Sequence, residues 1–230
     1  MAVMTIRWLG IPIFAIFAVL SLVAHAGLAQ QSIPAGASSV TQYVPPKSFS
    51  TVIPPSSYVA VGAPGHIPHG WIDFCSRRPE ECKVPALPAV DVVLTPRIWR
   101  VLDRVNREVN AYIVPVSNLA HWGTMIDHWD YPVDGKGDCK IYALYKRKLL
   151  MEAGFPRQAL LMTIVRDLHG EGHAVLTVRT DRGDYILDNL VNIIRPWDVT
   201  GYEFFSRQSQ ENPNVWLELD SQISVAAQSK

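Results

Sequence analysis

The apolar pattern changes period once between residues 139 and 190, and that change limits the possible folds more than any other feature. From Cys139 to about Ala153 the spacing is helical: Cys139, Tyr142, Ala143, Leu149 and Leu150 share a face, and Lys146 interrupts it. Gly154 and Pro156 end the run. Beyond them the spacing is that of strands. Residues 159–165 are mostly apolar, 166–172 (RDLHGEG) read as a turn, and 173–180 (HAVLTVRT) are rich in β-branched side chains. Residues 181–184 turn the chain again before a short strand at 185–190 (YILDNL). A helix followed by an antiparallel meander is an α+β arrangement. Upstream, Thr95 and Pro96 suit the N-cap and first position of a helix whose apolar face is Ile98, Leu102, Val105, Val109 and Tyr112. Its charged residues read as solvated surface. Residues 115–138 form a long irregular segment, and loops of that length inside a compact domain are often functional.

Residues 1–26 have the layout of a secretory signal peptide. Arg7 is the only charge near the start, an apolar run extends from Trp8 to Ala24, and Ala24–His25–Ala26 is a small-x-small cleavage site. A retained anchor competes, because the run is nearly long enough to span a bilayer. The cleavage site and the polar stretch after it favour removal, so membrane contact is expected only before cleavage and the mature protein is expected to be periplasmic or secreted. Residues 27–68, poor in charge and rich in Ser, Pro, Ala and Gly, read as a linker or poorly ordered arm. A globular domain is expected over 69–220 and a tail over 221–230. Lys plus Arg and Asp plus Glu both number 21, so the charge balance gives no case for nucleic acid as a partner.

The three cysteines are Cys75, Cys82 and Cys139. In an oxidising compartment, Cys75 and Cys82 are expected to pair across the turn in FCSRRPEEC, with two separate buried thiols as the competing reading. Neither C-x-x-C nor a histidine pair at ligand spacing supports zinc. Cys139 is left over. It is either a small buried hydrophobe at a helix start or an activated nucleophile.

Chemistry favours the nucleophile if two conditions hold, because the attacking species is the thiolate, formed most readily at a helix N-terminus and beside a protonated histidine. Local sequence meets the first. Asp138 suits the N-cap, Gly135 and Gly137 let the backbone turn into the helix, Lys140 adds positive charge, and the first-turn amides point where an oxyanion would form. Trp129 is a second oxyanion candidate. The second condition needs a histidine held by a third group. His173 opens one strand and Asp188 lies in the next. A four-residue loop over 180–183 pairs Val175 with Asp188 and makes His173 and Asp188 diagonal neighbours on one face. A two-residue loop at 182–183 puts Asp188 opposite Thr177, roughly 13 Å along the strand from His173 and out of reach. His121, His128 and His169 are alternative bases. Trp122 and Trp129 read first as core or cleft wall. Asp127, Asp130, Asp134 and Asp138 invite a calcium reading, but an EF-hand loop starting at Asp130 would need Glu where Ile141 stands.

GDCKIYALYKRKLLMEAGFP, followed by GHAVLTVRTDRGDYILDNL, resembles the bacterial transglutaminase-like cysteine proteinases, as do GWIDFCSRRPEEC and HWGTMIDHWDYP. The likeness runs from about Gly70 to Trp216. It implies a papain/transglutaminase-like fold, with a nucleophile helix packed on an antiparallel sheet. It also implies Cys139 as nucleophile, His173 as general base and acid, and Asp188 as the group orienting the imidazole. The family includes LapG-type periplasmic proteases that cut large surface adhesins, so the implied partner is a protein substrate, such as a surface or envelope protein. In those members acidic residues flank the cysteine on both sides and help bind calcium. Asp138 matches, but Lys140 departs, so no cofactor is expected to be required, with calcium bound elsewhere in the 115–138 segment as the competing expectation. Acyl transfer to an amine by the same residues, and a non-catalytic exported binding module, are the competing functions.

Overall fold

The computed structural model describes residues 52–220; the expectations for residues 1–26, 27–51 and 221–230 lie outside them. In chain order the elements are β1 (Ala60–Pro64), α1 (His69–Arg77), α2 (Pro79–Cys82), α3 (Pro96–Tyr112), β2 (Val114–Pro115), α4 (Asn118–Trp122), β3 (Lys136–Gly137) and α5 (Cys139–Glu152). Then follow β4 (Leu160–Arg166), β5 (Gly172–Thr180), β6 (Gly183–Leu187), β7 (Arg195–Pro196), β8 (Glu203–Gln208) and β9 (Trp216–Asp220). Seven strands form one antiparallel sheet in the order β1-β9-β8-β4-β5-β6-β7, while β2 and β3 make a separate two-stranded parallel pair. The fold is α+β, with a helix packed on an antiparallel sheet, as the change of period predicts.

Side chains alternate across a strand, and here both faces of the sheet are covered. Leu160, Met162, Leu176, Val178, Tyr185 and Leu187 join Leu102, Val105 and Val109 of α3 and Ile141, Leu144 and Leu150 of α5 in the larger core. Val165, Val175, Ile186 and Phe204 pack on the other side with Val59, Trp197, Tyr202 and Leu219. α3 starts as read: the Thr95 hydroxyl accepts from the Ile98 N–H at 3.2 Å and Pro96 is the first helical residue. Tyr112, expected on its apolar face, is exposed, and Trp99 is buried instead.

Residues 52–68 correct the linker reading. β1 pairs with β9, Val59 is buried, and its N–H donates to Asp184 Oδ2 at 3.0 Å. Ser56 Oγ donates to the Asp184 carbonyl at 2.7 Å, and Tyr185 Oη donates to the Pro54 carbonyl at 2.7 Å. The low charge and high Ser and Pro content belong to a strap whose polar groups are satisfied by the sheet rather than by solvent. Cys75 and Cys82 are joined by a disulfide, which ties α1 to α2.

Candidate active site

The chain enters α5 through a tight turn. β2 and β3 pair Val114 with Lys136 and Pro115 with Gly137, fixing this turn to the end of α3. Tyr142 Oη donates to the Ile113 carbonyl at 2.5 Å and adds a second tie. A Cβ on Gly137 would lie 2.5 Å from Ile141 Cγ2, so only glycine lets the turn close this tightly. Asp138 departs from its expected role. Its side chain makes no capping bond; it pairs with the Lys140 ammonium instead, leaving the first-turn amides free of a side-chain cap. Cys139 follows as the first residue of α5, partly exposed, and is the free cysteine among the described residues.

The register of β5 and β6 is the one that brings His173 and Asp188 together. Leu176 pairs with Leu187 and Arg179 with Asp184, the alignment that sets Asp188 beside Val175. Pairing continues to Thr180 and Gly183, so the turn itself is two residues, Asp181 and Arg182, rather than four. Asp188 lies just past β6, and its Oδ1 is 2.9 Å from His173 Nε2. The same ring interacts electrostatically with the Cys139 thiol. With Nε2 engaged by the carboxylate, Nδ1 is the nitrogen left for the thiol. Burial alone would lower the His173 pKa, but the hydrogen bonds and charges of Asp188 and Cys139 outweigh it and lift the pKa to about 10.

Two further residues hold the carboxylate. Tyr202 Oη donates to Asp188 Oδ2 at 2.6 Å, and Arg195 Nη2 lies 3.7 Å from the same oxygen. The Leu190 N–H donates to Oδ1 at 3.1 Å. Burial would raise the Asp188 pKa; the His173 hydrogen bond and charge, helped by Tyr202 and the Leu190 N–H, hold it below the usual carboxylate range. The sequence reading missed Tyr202 and Arg195. They reach the site from the segment after β6, and no local spacing marks them.

The other candidate bases are placed elsewhere. His121 Nε2 pairs with Asp134 at 2.9 Å, and its ring stacks on Trp122. His128 sits between Asp73 and Asp130, and His169 is exposed in the turn after β4. Trp129 is corrected as an oxyanion donor. It is 1% exposed and packs against Trp71 and Trp216, and its indole N–H donates to Asp127 Oδ2 at 2.6 Å. A Cβ on Gly70 would fall 2.2 Å from its ring, so the glycine makes room for this core tryptophan.

Asp127 and Asp138 do converge, but on a cation of the protein itself. The buried Lys140 ammonium bridges Asp127 Oδ1, at 2.8 Å, and Asp138 Oδ2. Burial would lower the Lys140 pKa, but these two carboxylates outweigh it and raise it, so the side chain stays charged. A cationic side chain between the two acids does not fit a calcium site there. Among the described residues no group of three or more His, Cys, Asp or Glu is arranged to hold a metal.

A thiol at a helix start, facing a strand-borne histidine over an antiparallel sheet, is the construction of a transglutaminase-like cysteine peptidase. The model of the bacterial transglutaminase-like cysteine proteinases (BTLCP) matches residues 61–224, and the chain belongs to that family. Among solved structures it is similar to calcium-bound Legionella pneumophila LapG, with 23% identity, a TM-score of 0.46, and coverage of 58% of this chain and 81% of that one. EGTA-treated L. pneumophila LapG gives 25% identity and a TM-score of 0.45 over 56% of this chain and 74% of that one. A further L. pneumophila LapG structure gives 26% and 0.45 over 56% and 72%. A search of curated proteins finds no match.

Proposed function

We propose that this cysteine peptidase is exported and cuts a protein of the cell envelope or surface through a Cys139–His173–Asp188 triad. The observation that carries the reading is the His173–Asp188 pair at 2.9 Å, with the Cys139 thiol acting electrostatically on the same ring. His173 Nδ1 takes the thiol proton while Asp188 holds the imidazolium at Nε2. The sulfur attacks the scissile carbonyl carbon, and the carbonyl π electrons move to oxygen. The uncapped N–H of Cys139 donates to that oxyanion. When the tetrahedral species collapses, the C–N bond breaks and His173 passes its proton to the leaving amine. Water, deprotonated by the same ring, then attacks the thioacyl carbon, releasing the acid and restoring the thiol.

LapG has been solved with calcium bound and after EGTA treatment. In this chain the Lys140 ammonium lies between Asp127 and Asp138, which supports catalysis without calcium. The export reading rests on the leader-like sequence at 1–26 and agrees with the Cys75–Cys82 disulfide.

The test is incubation of the protein with an envelope protein fraction, with and without an added primary amine, followed by mass spectrometry of new chain termini. Free carboxyl termini that appear with wild type and vanish with Cys139→Ala are expected. Amine incorporation without new termini would replace hydrolysis by transamidation. Cleavage that survives Cys139→Ala would overturn the assignment.

A further inference from the structure

A cavity of about 150 Å³ lies beside the His173–Asp188 pair, and the reaction above gives it no role. Its apolar lining is Leu168, from the turn after β4, with Leu190 and Val191, from the segment just past Asp188; Tyr202 and Arg195 help to close it. These walls are tied to the pair. The Tyr202 ring packs edge-on against the His173 ring, with centroids 5.8 Å apart. The Leu190 N–H donates to Asp188 Oδ1 at 3.1 Å. The turn that carries Leu168 leads straight into β5: the Asp167 N–H donates to the Glu171 carbonyl at 2.9 Å, and β5 starts at Gly172, next to His173.

The polar groups around the cavity are engaged by the protein. Asp167 Oδ1 accepts from the His169 and Glu171 N–H groups at 2.8 and 3.0 Å. Tyr202 Oη donates to Asp188, and the Arg195 guanidinium lies 5.3 Å from the centre of the Tyr202 ring and 3.7 Å from Asp188 Oδ2. Leu168 and Leu190, in contrast, are large apolar side chains left 68% and 55% exposed. Leu168 lies against Gly201, where an added Cβ would come within 2.8 Å of its Cδ2, so the glycine lets the leucine settle there. An apolar cavity of about 150 Å³ is large enough to hold benzene, so this one has room for a single aliphatic or aromatic side chain.

The direction of the substrate follows from the proton transfer. His173 passes its proton to the leaving amine, so the scissile nitrogen sits about 3 Å from the ring and the chain beyond it departs across His173. An extended chain advances roughly 3.3 Å per residue. A wall whose ring centre is 5.8 Å from that of the imidazole is therefore within reach of the first two residues after the scissile bond. We propose that the cavity between Leu168, Leu190 and Tyr202 is a specificity subsite, taking an apolar side chain from one of those two residues. The inference rests on the triad proposed above, which fixes the side from which the leaving chain departs. The leucines supply only C–H surface, so a charged side chain there would lose its water and gain no partner.

The test is digestion of the envelope protein fraction by wild type, Leu168→Glu, Leu190→Glu and Cys139→Ala, with circular dichroism to show that each folds. New amino termini are sequenced by mass spectrometry, and the residues around each cut are compared with their background frequency. At one of the two positions after the cut, wild type is expected to favour Leu, Ile, Val, Met or Phe over Asp, Glu and Gly by roughly tenfold or more. In both leucine variants that preference is expected to be lost, while preferences before the cut stay as in wild type. Cys139-dependent cuts with no apolar preference at either position overturn the proposal alone, and so does a preference that folded variants keep. If the variants fail to fold, the wild-type preference decides by itself. Cuts that survive Cys139→Ala, or no cuts by wild type, overturn the triad reading and the subsite with it.

Discussion

Tyr202→Phe removes one oxygen and leaves the ring in place against the His173 ring and the Arg195 guanidinium. The lost group is the donor to Asp188 Oδ2 at 2.6 Å, after which the nearest remaining partner of that oxygen is Arg195 Nη2 at 3.7 Å. Asp188 is 2% exposed, so solvent has little access to replace the bond. A hydrogen bond to a buried charge contributes about 1.5–3 kcal/mol, and with a urea slope near 2 kcal/mol/M the midpoint should fall by about 1 M. The sign with pH follows from Asp188. Its folded pKa is depressed, so the stability it brings is present above the unfolded value and is lost as pH falls through the folded one. The Tyr202→Phe deficit should therefore be full at pH 7 and shrink in acid. Without the hydroxyl, the carboxylate should also hold the His173 proton to higher pH and move the alkaline limb of hydrolysis upward. Urea unfolding at pH 7 and 3, with a pH profile of activity, measures both effects. A variant within about 0.5 kcal/mol of wild type at pH 7, with an unmoved alkaline limb, refutes the reasoning.

Other outcomes follow from the same geometry. Hydrolysis should be the same in added calcium and in EGTA, because Lys140 occupies the space between Asp127 and Asp138; a rate that collapses in EGTA contradicts this. Replacing Cys75 and Cys82 together by Ala opens a loop with a sequence separation of 7, and should cost about 2.5 kcal/mol in denaturant unfolding. His173 and Lys146 should pull stability in opposite directions as pH rises. The raised His173 pKa gives stability that is full below the unfolded value near 6.5 and is lost as pH rises through about 10. Burial lowers the Lys146 pKa to about 7 and gives the reverse: the unfolded chain binds the extra proton between about 7 and 10.5, so stability rises there. Lys146→Met should be more stable than wild type below pH 7, and its stability should fall more steeply between pH 7 and 10; parallel curves would count against the Lys146 assignment.

What could be read from sequence was what local periodicity and register fix. The start of α5 at Cys139 and the strands around His173 and Asp188 follow from the change of period, whereas their alignment was one of two registers that the turn left open. Residues that arrive from a distance could not be read this way. Tyr202 and Arg195 reach Asp188 only because β7 and the turn before β8 fold back beside β6, and Lys146 looked like a flaw in an apolar face. Composition misled at 52–68, where a Ser- and Pro-rich segment finds its partners in the sheet. It misled at Asp138 as well, where a good capping residue has a stronger partner in the ammonium two residues on.

The central claim is that His173 activates Cys139. Alkylation of Cys139 at pH 7 in wild type and His173→Ala, followed by mass spectrometry, tests it most directly. Rapid labelling of wild type and a rate at least about tenfold lower in the variant is the expected result. Equal rates, or no labelling of wild-type Cys139, would contradict it.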